Sequence, residues 1–311
     1  QVMQSRGGIS AASTATKRPV RLFLSGPAAG VIGGSKVGQA AGENNLITVD
    51  IGGTSCDIAL VAQGRPLVSP EGRIDGYSVR VPMVDVNAMG SGGGSIAWLD
   101  AAGGLRVGPH SAGADPGPAC YGRDGKFATV TDASIALGFL NPDYFAGGTV
   151  PLDRELAKQV IQETIAAPLS MTIEQAALGI HQVVNAQMAE GMRQVSIRQG
   201  HDPRDFSLVP LGGAGPVHAI PLAEELSIDT IIIPRHPGVL SAEGLLVAPI
   251  EHEVSIGFPH DLDSVGINEL KTKFDELDAQ CASLMDAEAN EVGNIEIIHA
   301  VDICYVGQSH Y

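Results

Sequence analysis

The sharpest chemical feature of the sequence is the run Asp50-Ile51-Gly52-Gly53-Thr54-Ser55. An apolar stretch, Leu46 to Val49, leads into a carboxylate, two glycines and a hydroxyl. With no Cβ intervening, the glycine N–H groups can approach a phosphate closely, and Thr54 adds a donor. Asp50, at the strand's end, is aimed at a metal ion or an attacking water, and Asp57 brings a second carboxylate nearby. An ordinary tight hairpin with a polar turn accounts for the same residues, so both readings stand on this motif alone.

A second run, Leu211-Gly212-Gly213-Ala214-Gly215-Pro216, follows a strand-like segment and opens a helix, with Pro216 suited to the first helical position. Such a turn lets a flat or charged ligand lie against the backbone near the positive end of the helix, or it serves only to pack helix on strand. It is not a dinucleotide fingerprint, because His218 stands where the third glycine belongs, and no Gly-Lys-Ser/Thr P-loop occurs. Ser25 to Gly30 forms another glycine-containing turn into a helix. The segment Gly90 to Ser95 and the loop His110 to Tyr121 gather Asp85, Asn87, His110, Asp115, Cys120 and, beyond them, Asp132. Their spacings fit no compact zinc motif. Cys120 is either a nucleophile or an inert buried thiol, and no GxSxG elbow surrounds Ser91, Ser95 or Ser111. His181 and His218 fit structural roles, while His236 and Glu243 flank a loop that either covers a ligand or packs.

These residues need a frame. Val20 to Leu24 suggests a short strand, and small residues from Ala28 to Ala41 suggest a tightly packed helix stopped by Gly42. Leu46 to Asp50 and Ile58 to Val61 form a hairpin pair, followed by a Gln63-Gly64 turn. Residues 65–130 form a glycine-rich β segment, in which Ser95–Leu99 and Leu105–Val107 flank a Gly103-Gly104 turn. Helices dominate 132–200. One opens on a Thr172–Gln175 capping box, carries Ala176, Ile180, Val183, Val184, Met188 and Met192 at helical spacing, and ends before Gly200. Strand Phe206–Leu211, helix 216–226 and strand Thr230–Ile233 make the β-turn-α-β unit of an α/β sheet. An acidic amphipathic helix over 264–290 and a strand-like run Ile295–Tyr305 follow.

The 311 residues suffice for about two domains, and 44% hydrophobic residues exclude whole-chain disorder. A net charge of −16 disfavours nucleic acid and anionic membranes as partners, and aromatics at 4% exclude stacking as a dominant mode of recognition. No apolar run is long enough for a membrane span. Four dispersed cysteines without a CxxC pair point to a reducing, cytoplasmic compartment. The opening Gln1-Val2-Met3 and an ending close behind an apolar run suggest a piece of a longer protein.

The order of these parts carries a resemblance. SGPAAGVIGG, VDIGGTSCDIALV, GSGGGSIAWLD, VGPHSAGADPGPACYG, TVTDASIALGFLNP, RQGHDPRDFSLVPLGGAGPVHA and PRHPGVLSAEGLL together resemble the hydantoinase A/oxoprolinase family over nearly the whole chain. That resemblance implies an α/β fold, one lobe of an actin/Hsp70/sugar-kinase-like (ribonuclease H-like) ATPase with a glycine-rich β insertion. It implies ATP and Mg²⁺ as cofactors, with Asp50 orienting the hydrated metal or water. Gly52, Gly53 and Thr54 would cradle phosphates, and Gly212, Gly213 and Gly215 would face the adenosine. Asp57, Asp85 and Asn87 join Asp50 as candidate catalytic groups, with Gly92 to Ser95 also on the substrate side. The implied activity is ATP-dependent ring opening of a hydantoin or 5-oxoproline through phosphorylation of the amide oxygen. The alternatives are the ATP-using subunit of an acetone- or acetophenone-type carboxylase, or a lobe without activity of its own. A cyclic amide or ketone and a hydantoinase B-like subunit are the implied partners. The expected layout is a linker over 1–18, the ATPase-like domain over 19–256 and the start of a further region over 257–311. A first phosphate loop is expected before residue 1, which would leave this chain inactive in isolation.

Overall fold

The computed structural model describes residues 1–74, 76–286, 288 and 293–308. The chain divides into two units, one of residues 3–7 and 20–248 and one of residues 1–2, 8–19 and 249–311.

The larger unit starts with helix α1 (Ser25–Ala40) and the hairpin β1 (Leu46–Ile51) and β2 (Cys56–Ala62). Strand β3 (Val86–Met89) and the hairpin β4 (Ser95–Leu99) and β5 (Leu105–Ser111) follow. Helices α2 (Val130–Ala136) and α3 (Ile173–Arg198), strand β6 (Ser207–Leu211), helix α4 (Gly215–Leu226) and helix α5 (Leu240–Val247) complete it. The sheet order is β3-β2-β1-β6, with a short strand at Arg65–Pro66 added to β2. β1 pairs antiparallel with β2 and parallel with β6, as an α/β frame requires.

Alternation along the strands divides the core. Ile47, Val49, Ile51, Ile58 and Leu60 point to one face, where they pack with Ile180, Val184, Met188 and Met192 of α3. Leu46, Ala59, Val61 and Val209 point to the other, against Ala28 and Val31 of α1. Each such aliphatic side chain, fully buried, stabilises the fold by about 1.5–3 kcal/mol. The small residues of α1 have a specific use. A Cβ on Gly34 would stand 2.8 Å from Thr48 Cγ2, and one on Gly38 would stand 2.3 Å from Leu46 Cδ1. The helix therefore lies on β1 at a distance only a glycine stripe permits. The capping box forms as expected, Thr172 N–H donating to Gln175 Oε1 at 3.0 Å and Gln175 N–H to Thr172 Oγ1 at 3.2 Å.

Three sequence expectations fail. Val20–Leu24 is not a strand: Pro19–Leu22 forms a 3₁₀ turn and Leu24 takes a φ of 60°. A five-residue apolar run cannot by its periodicity distinguish strand from turn, and Pro19 presets a turn-compatible φ. Thr230–Ile233 makes a single parallel bridge, Leu208↔Ile231, rather than a strand; Pro234 supplies no further donor to extend it. Ile295–Tyr305 has no strand pairing among the described residues, and its Ile295, Ile298 and Ile303 are exposed. An alternating sequence becomes a strand only where a second strand takes its hydrogen bonds.

In the smaller unit, residues 8–19 carry structure of their own. Ile9 bridges to Ile250, and Ala12–Ala15 forms a helical turn preceded by Ala11, whose N–H donates to the buried carboxylate of Glu288. The acidic helix α6 runs over Ile267–Asp286; the rest of the expected span, apart from Glu288 and the three residues before Ile267, lies outside the described residues.

Candidate functional site

The register of the hairpin places Asp50 directly opposite Asp57. Directly opposed residues of an antiparallel pair share a face, with Cβ atoms about 4.5–5.5 Å apart, and like charges there are destabilising. Both aspartates lie on the α1 face, half-buried. Burial raises the Asp50 pKa, and the Ser241 hydroxyl beside it pulls in the opposite direction. Burial and then the charge of Asp50 raise Asp57. Cys56 between them is pushed up to about 12 by burial first and the two carboxylates second. Among the described residues no cationic side chain acts on either aspartate. Two oxygen donors held together without a protein cation are chemically suited to a hard divalent ion such as Mg²⁺.

Beyond Asp50 the chain turns through Gly52 and Gly53, closed by Gly52 N–H donating to the Ser55 carbonyl at 3.0 Å. Gly53 and Thr54 are exposed, and a Cβ on Gly53 would meet nothing within 4 Å. Among the described residues the N–H groups of Gly53 and Thr54 have no acceptor. The carbonyls of this turn face the other way. Gly93 N–H donates to Gly52 O at 3.0 Å and Gly94 N–H to Gly53 O at 2.6 Å. A Cβ on Gly92 would sit 2.8 Å from Gly52 O. The Gly90–Ser95 segment therefore underpins the hairpin. Thr131 of α2 fixes that segment in turn, donating to Gly93 O through its N–H at 2.7 Å and its hydroxyl at 2.8 Å.

The second glycine turn lies alongside. β6 is in register with β1, Leu211 opposite Asp50, so both strands end at the same edge. Gly212 has a φ of 80°, and a Cβ there would approach Asp50 Oδ1 to 2.3 Å and Ile51 O to 2.5 Å, so only glycine fits. Ala214 N–H donates to Ile51 O at 2.9 Å and ties the two loops together. Gly213 is exposed, its N–H has no acceptor among the described residues, and a Cβ on it would meet nothing within 4 Å. Gly215 and Pro216 begin α4 as expected. Three N–H donors without an acceptor among the described residues, and the N-terminus of α4, thus lie on two loops tied together at the strand ends beside Asp50.

The loop flanked by His236 and Glu243, which the sequence offered as a ligand cover or as packing, brings two residues against the turns. Pro237 accepts the Gly212 N–H at 2.9 Å, and Ser241, in the first turn of α5, reaches Asp50. α5 can come this close because a Cβ on Gly244 would stand 1.9 Å from Ala29 O, an approach closed to any other residue. The small residues of the stretch PGVLSAEG were the available signal. His236 and Glu243 form a 2.7 Å pair at the surface beside this loop.

Asp85 and Asn87 are not brought to the pair. Asn87 lies opposite Ile58, whose side chain packs on the α3 face, so alternation sends Asn87 and Asp85 to the face away from Asp50 and Asp57. There Asp85 accepts from Asn87 at 3.3 Å and from Gln199 just beyond the end of α3. Asp132 is fully used as an acceptor for the Ala119, Cys120 and Thr129 N–H groups and the Thr129 hydroxyl. Cys120 is buried and its thiol is pushed far up by burial and by Asp132, so it is no nucleophile. Among the described residues no group of three or more His, Cys, Asp and Glu could hold a metal ion, and no helix is long and apolar enough to cross a membrane.

A ligand cleft outside the carboxyl ends of neighbouring parallel strands is the usual binding position in open α/β proteins. Residues 1–254 match the hydantoinase/oxoprolinase family, and the chain belongs to that family. It is 41% identical to caprolactamase subunit alpha of Pseudomonas jessenii over 310 residues, which are 99% of this chain and 44% of that protein. The solved ATP-dependent caprolactamase from the same organism superposes with a TM-score of 0.82 at 38% identity, covering 99% of this chain and 45% of that one. Acetone carboxylase in its nucleotide-free structure gives 0.76 at 30% identity, covering 93% and 42%. The chain thus spans under half the length of these proteins.

Proposed function

We propose that the two glycine turns and the aspartate pair are half of an ATP site. In this reading the larger unit is one lobe of an actin/Hsp70/sugar-kinase-like ATPase, and the intact protein uses ATP to open a cyclic amide. The observation that carries it is the set of exposed N–H groups on Gly53, Thr54 and Gly213, without acceptors among the described residues, on the two loops next to an opposed carboxylate pair that has no cationic partner among those residues. A polyphosphate with its metal satisfies both halves at once. Resemblance to an ATP-dependent caprolactamase supports both the nucleotide and the amide.

The residues then take these roles. The N–H groups of Gly53 and Thr54 and the Thr54 hydroxyl bind phosphate oxygens and hold the transferring phosphoryl in line. Gly213 leaves room for the nucleoside against the backbone, and Gly212 and Gly215 shape that surface. Asp50, held by Ser241, and Asp57 would together hold the metal ion. Bound Mg²⁺ would neutralise charge on the phosphates. Chemically, the amide oxygen attacks the γ-phosphorus and ADP departs. Water then adds to the activated carbon, the ring C–N bond breaks to leave a free amine and an acyl phosphate, and a second water hydrolyses the acyl phosphate to carboxylate and phosphate. The other half of the site and the lactam pocket belong to the rest of the protein or to a hydantoinase B-like partner subunit. A carboxylase reading, with a phosphorylated ketone in place of the amide, is supported by the similarity to acetone carboxylase.

ATP hydrolysis by the full-length protein, measured with caprolactam, 5-oxoproline, N-methylhydantoin, and acetone plus bicarbonate, discriminates between them. Stimulation by a lactam or hydantoin is the expected result; stimulation only by acetone with bicarbonate selects the carboxylase. Gly213→Arg fills the open space over the turn and is expected to abolish ATP binding while the protein stays folded. Unchanged binding would remove the nucleotide assignment.

A further inference from the structure

Helices α3 and α4 meet at a buried pair of histidines. His181 of α3 and His218, in the first turn of α4, stack with ring centroids 5.1 Å apart and planes at 25°. They are 3% and 1% exposed. Ser134 of α2 lies 2.9 Å from His181 Nε2 and donates its one proton to the Val130 carbonyl, also at 2.9 Å. His181 must therefore carry its own proton on Nε2 and donate to Ser134. His218 Nδ1 lies 2.6 Å from Asn185 Oδ1, an acceptor, so His218 is protonated on Nδ1. Both rings are neutral, with opposite tautomers. Burial holds His181 at about 4, and burial followed by the neighbouring ring holds His218 at about 3.

The groups facing the pair are uncharged: Ser134 from α2, Asn185 from α3, and Phe139, which meets His181 edge-on at 5.2 Å. No carboxylate acts on either ring. The acid on α2, Asp132, is occupied by its own four donors.

Two chains of contacts leave this pair. From His181 one runs through Ser134 and α2 to Thr131, Gly93 and the Gly52-Gly53 turn. From His218 the other runs along the first turn of α4 to Gly215 and Gly213. We propose that His181 and His218 are positioning residues for nucleotide use, a neutral stacked strut that sets the separation of the phosphate hairpin from the second glycine turn. The proposal rests on the nucleotide reading above. Protonation of either ring would put an unpaired charge, and a donor without an acceptor, between helices that have nothing to offer it. The strut would yield, and both loops would loosen together.

Two measurements on the full-length protein test this. The first is amide hydrogen exchange at residues 50–55 and 211–216, which needs no nucleotide. His218→Leu, which leaves Asn185 without its donor, should speed exchange in both segments by about tenfold. His218→Asn, whose amide can replace the Nδ1 donor, should restore it. The second is ATP affinity against pH. Wild-type protein should lose affinity steeply below about pH 5 as the rings are forced to protonate, and His218→Asn should flatten that loss. Faster exchange confined to α4, or spread evenly over the unit, would overturn the strut, as would an acid loss identical in His218→Asn. A wild-type protein that binds no ATP at any pH would instead remove the nucleotide reading, while the exchange result would still decide the coupling of the two loops.

Discussion

The hairpin turn Gly52–Thr54 and the loop Gly92–Gly94 are both glycine-rich, yet they use glycine in opposite ways. The loop directs its N–H groups inward, Gly93 and Gly94 donating to the carbonyls of Gly52 and Gly53, and has no room for a Cβ. The hairpin thereby has its carbonyls satisfied and its N–H groups turned outward, with open space over Gly53. One segment is a support and the other a receptor. Glycine composition alone does not separate them; the direction of the hydrogen bonds does.

Substitutions that add one carbon break or sharpen this contrast. The largest effect is expected at Gly212, where a side chain meets Asp50 and Ile51 and φ is 80°. Gly212→Ala should cost about 2–5 kcal/mol of stability in denaturant titration and abolish ATP binding. Next comes the support: Gly92→Ala should cost about 1–3 kcal/mol and weaken ATP binding as the hairpin shifts. Gly53→Ala should leave stability within about 1 kcal/mol of wild type and lower ATP affinity alone. If Gly53→Ala destabilises as much as Gly92→Ala, the division into support and receptor is wrong. Smallest of all, Asp85→Asn, on the opposite face of the sheet, should leave ATP turnover within about twofold, whereas Asp50→Asn should remove turnover and preserve nucleotide binding.

The histidine pair adds a pH dependence to the same contrast. In the unfolded chain a histidine titrates near 6.5; in the fold His181 and His218 stay neutral down to about 4 and about 3. Their contribution to stability is fully present above about pH 6.5 and declines as pH falls below it, because the unfolded state then binds more protons. The slope of unfolding free energy against pH between about 6 and 4 should therefore shrink in His218→Asn.

What the sequence disclosed follows from distance along the chain. The β1–β2 hairpin, the Thr172 capping box and the Gly212 turn are local, set by residues within a few positions of one another, and all three form. The opposition of Asp50 and Asp57 follows from that hairpin once its register is fixed. The face on which Asp85 and Asn87 lie could not be read in the same way, because it depends on how β3 pairs with β2 across a long insertion. The loop holding Pro237 and Ser241 stood out as one that covers a ligand or packs, but its contacts with Gly212 and Asp50 exist only once α5 has packed on α1. The acid pair, the receptor loop and its support thus differ in legibility by how much tertiary structure each requires.

The central claim is that Gly53, Thr54 and Gly213 hold their N–H groups open for a polyphosphate. Amide hydrogen exchange of the full-length protein with and without Mg·ATP tests it most directly. Protection should appear at Gly53, Thr54 and Gly213, with Gly93 and Gly94, already hydrogen-bonded, unchanged. Protection at Gly93 and Gly94 without any at Gly53, Thr54 and Gly213, under conditions where ATP demonstrably binds, would contradict it.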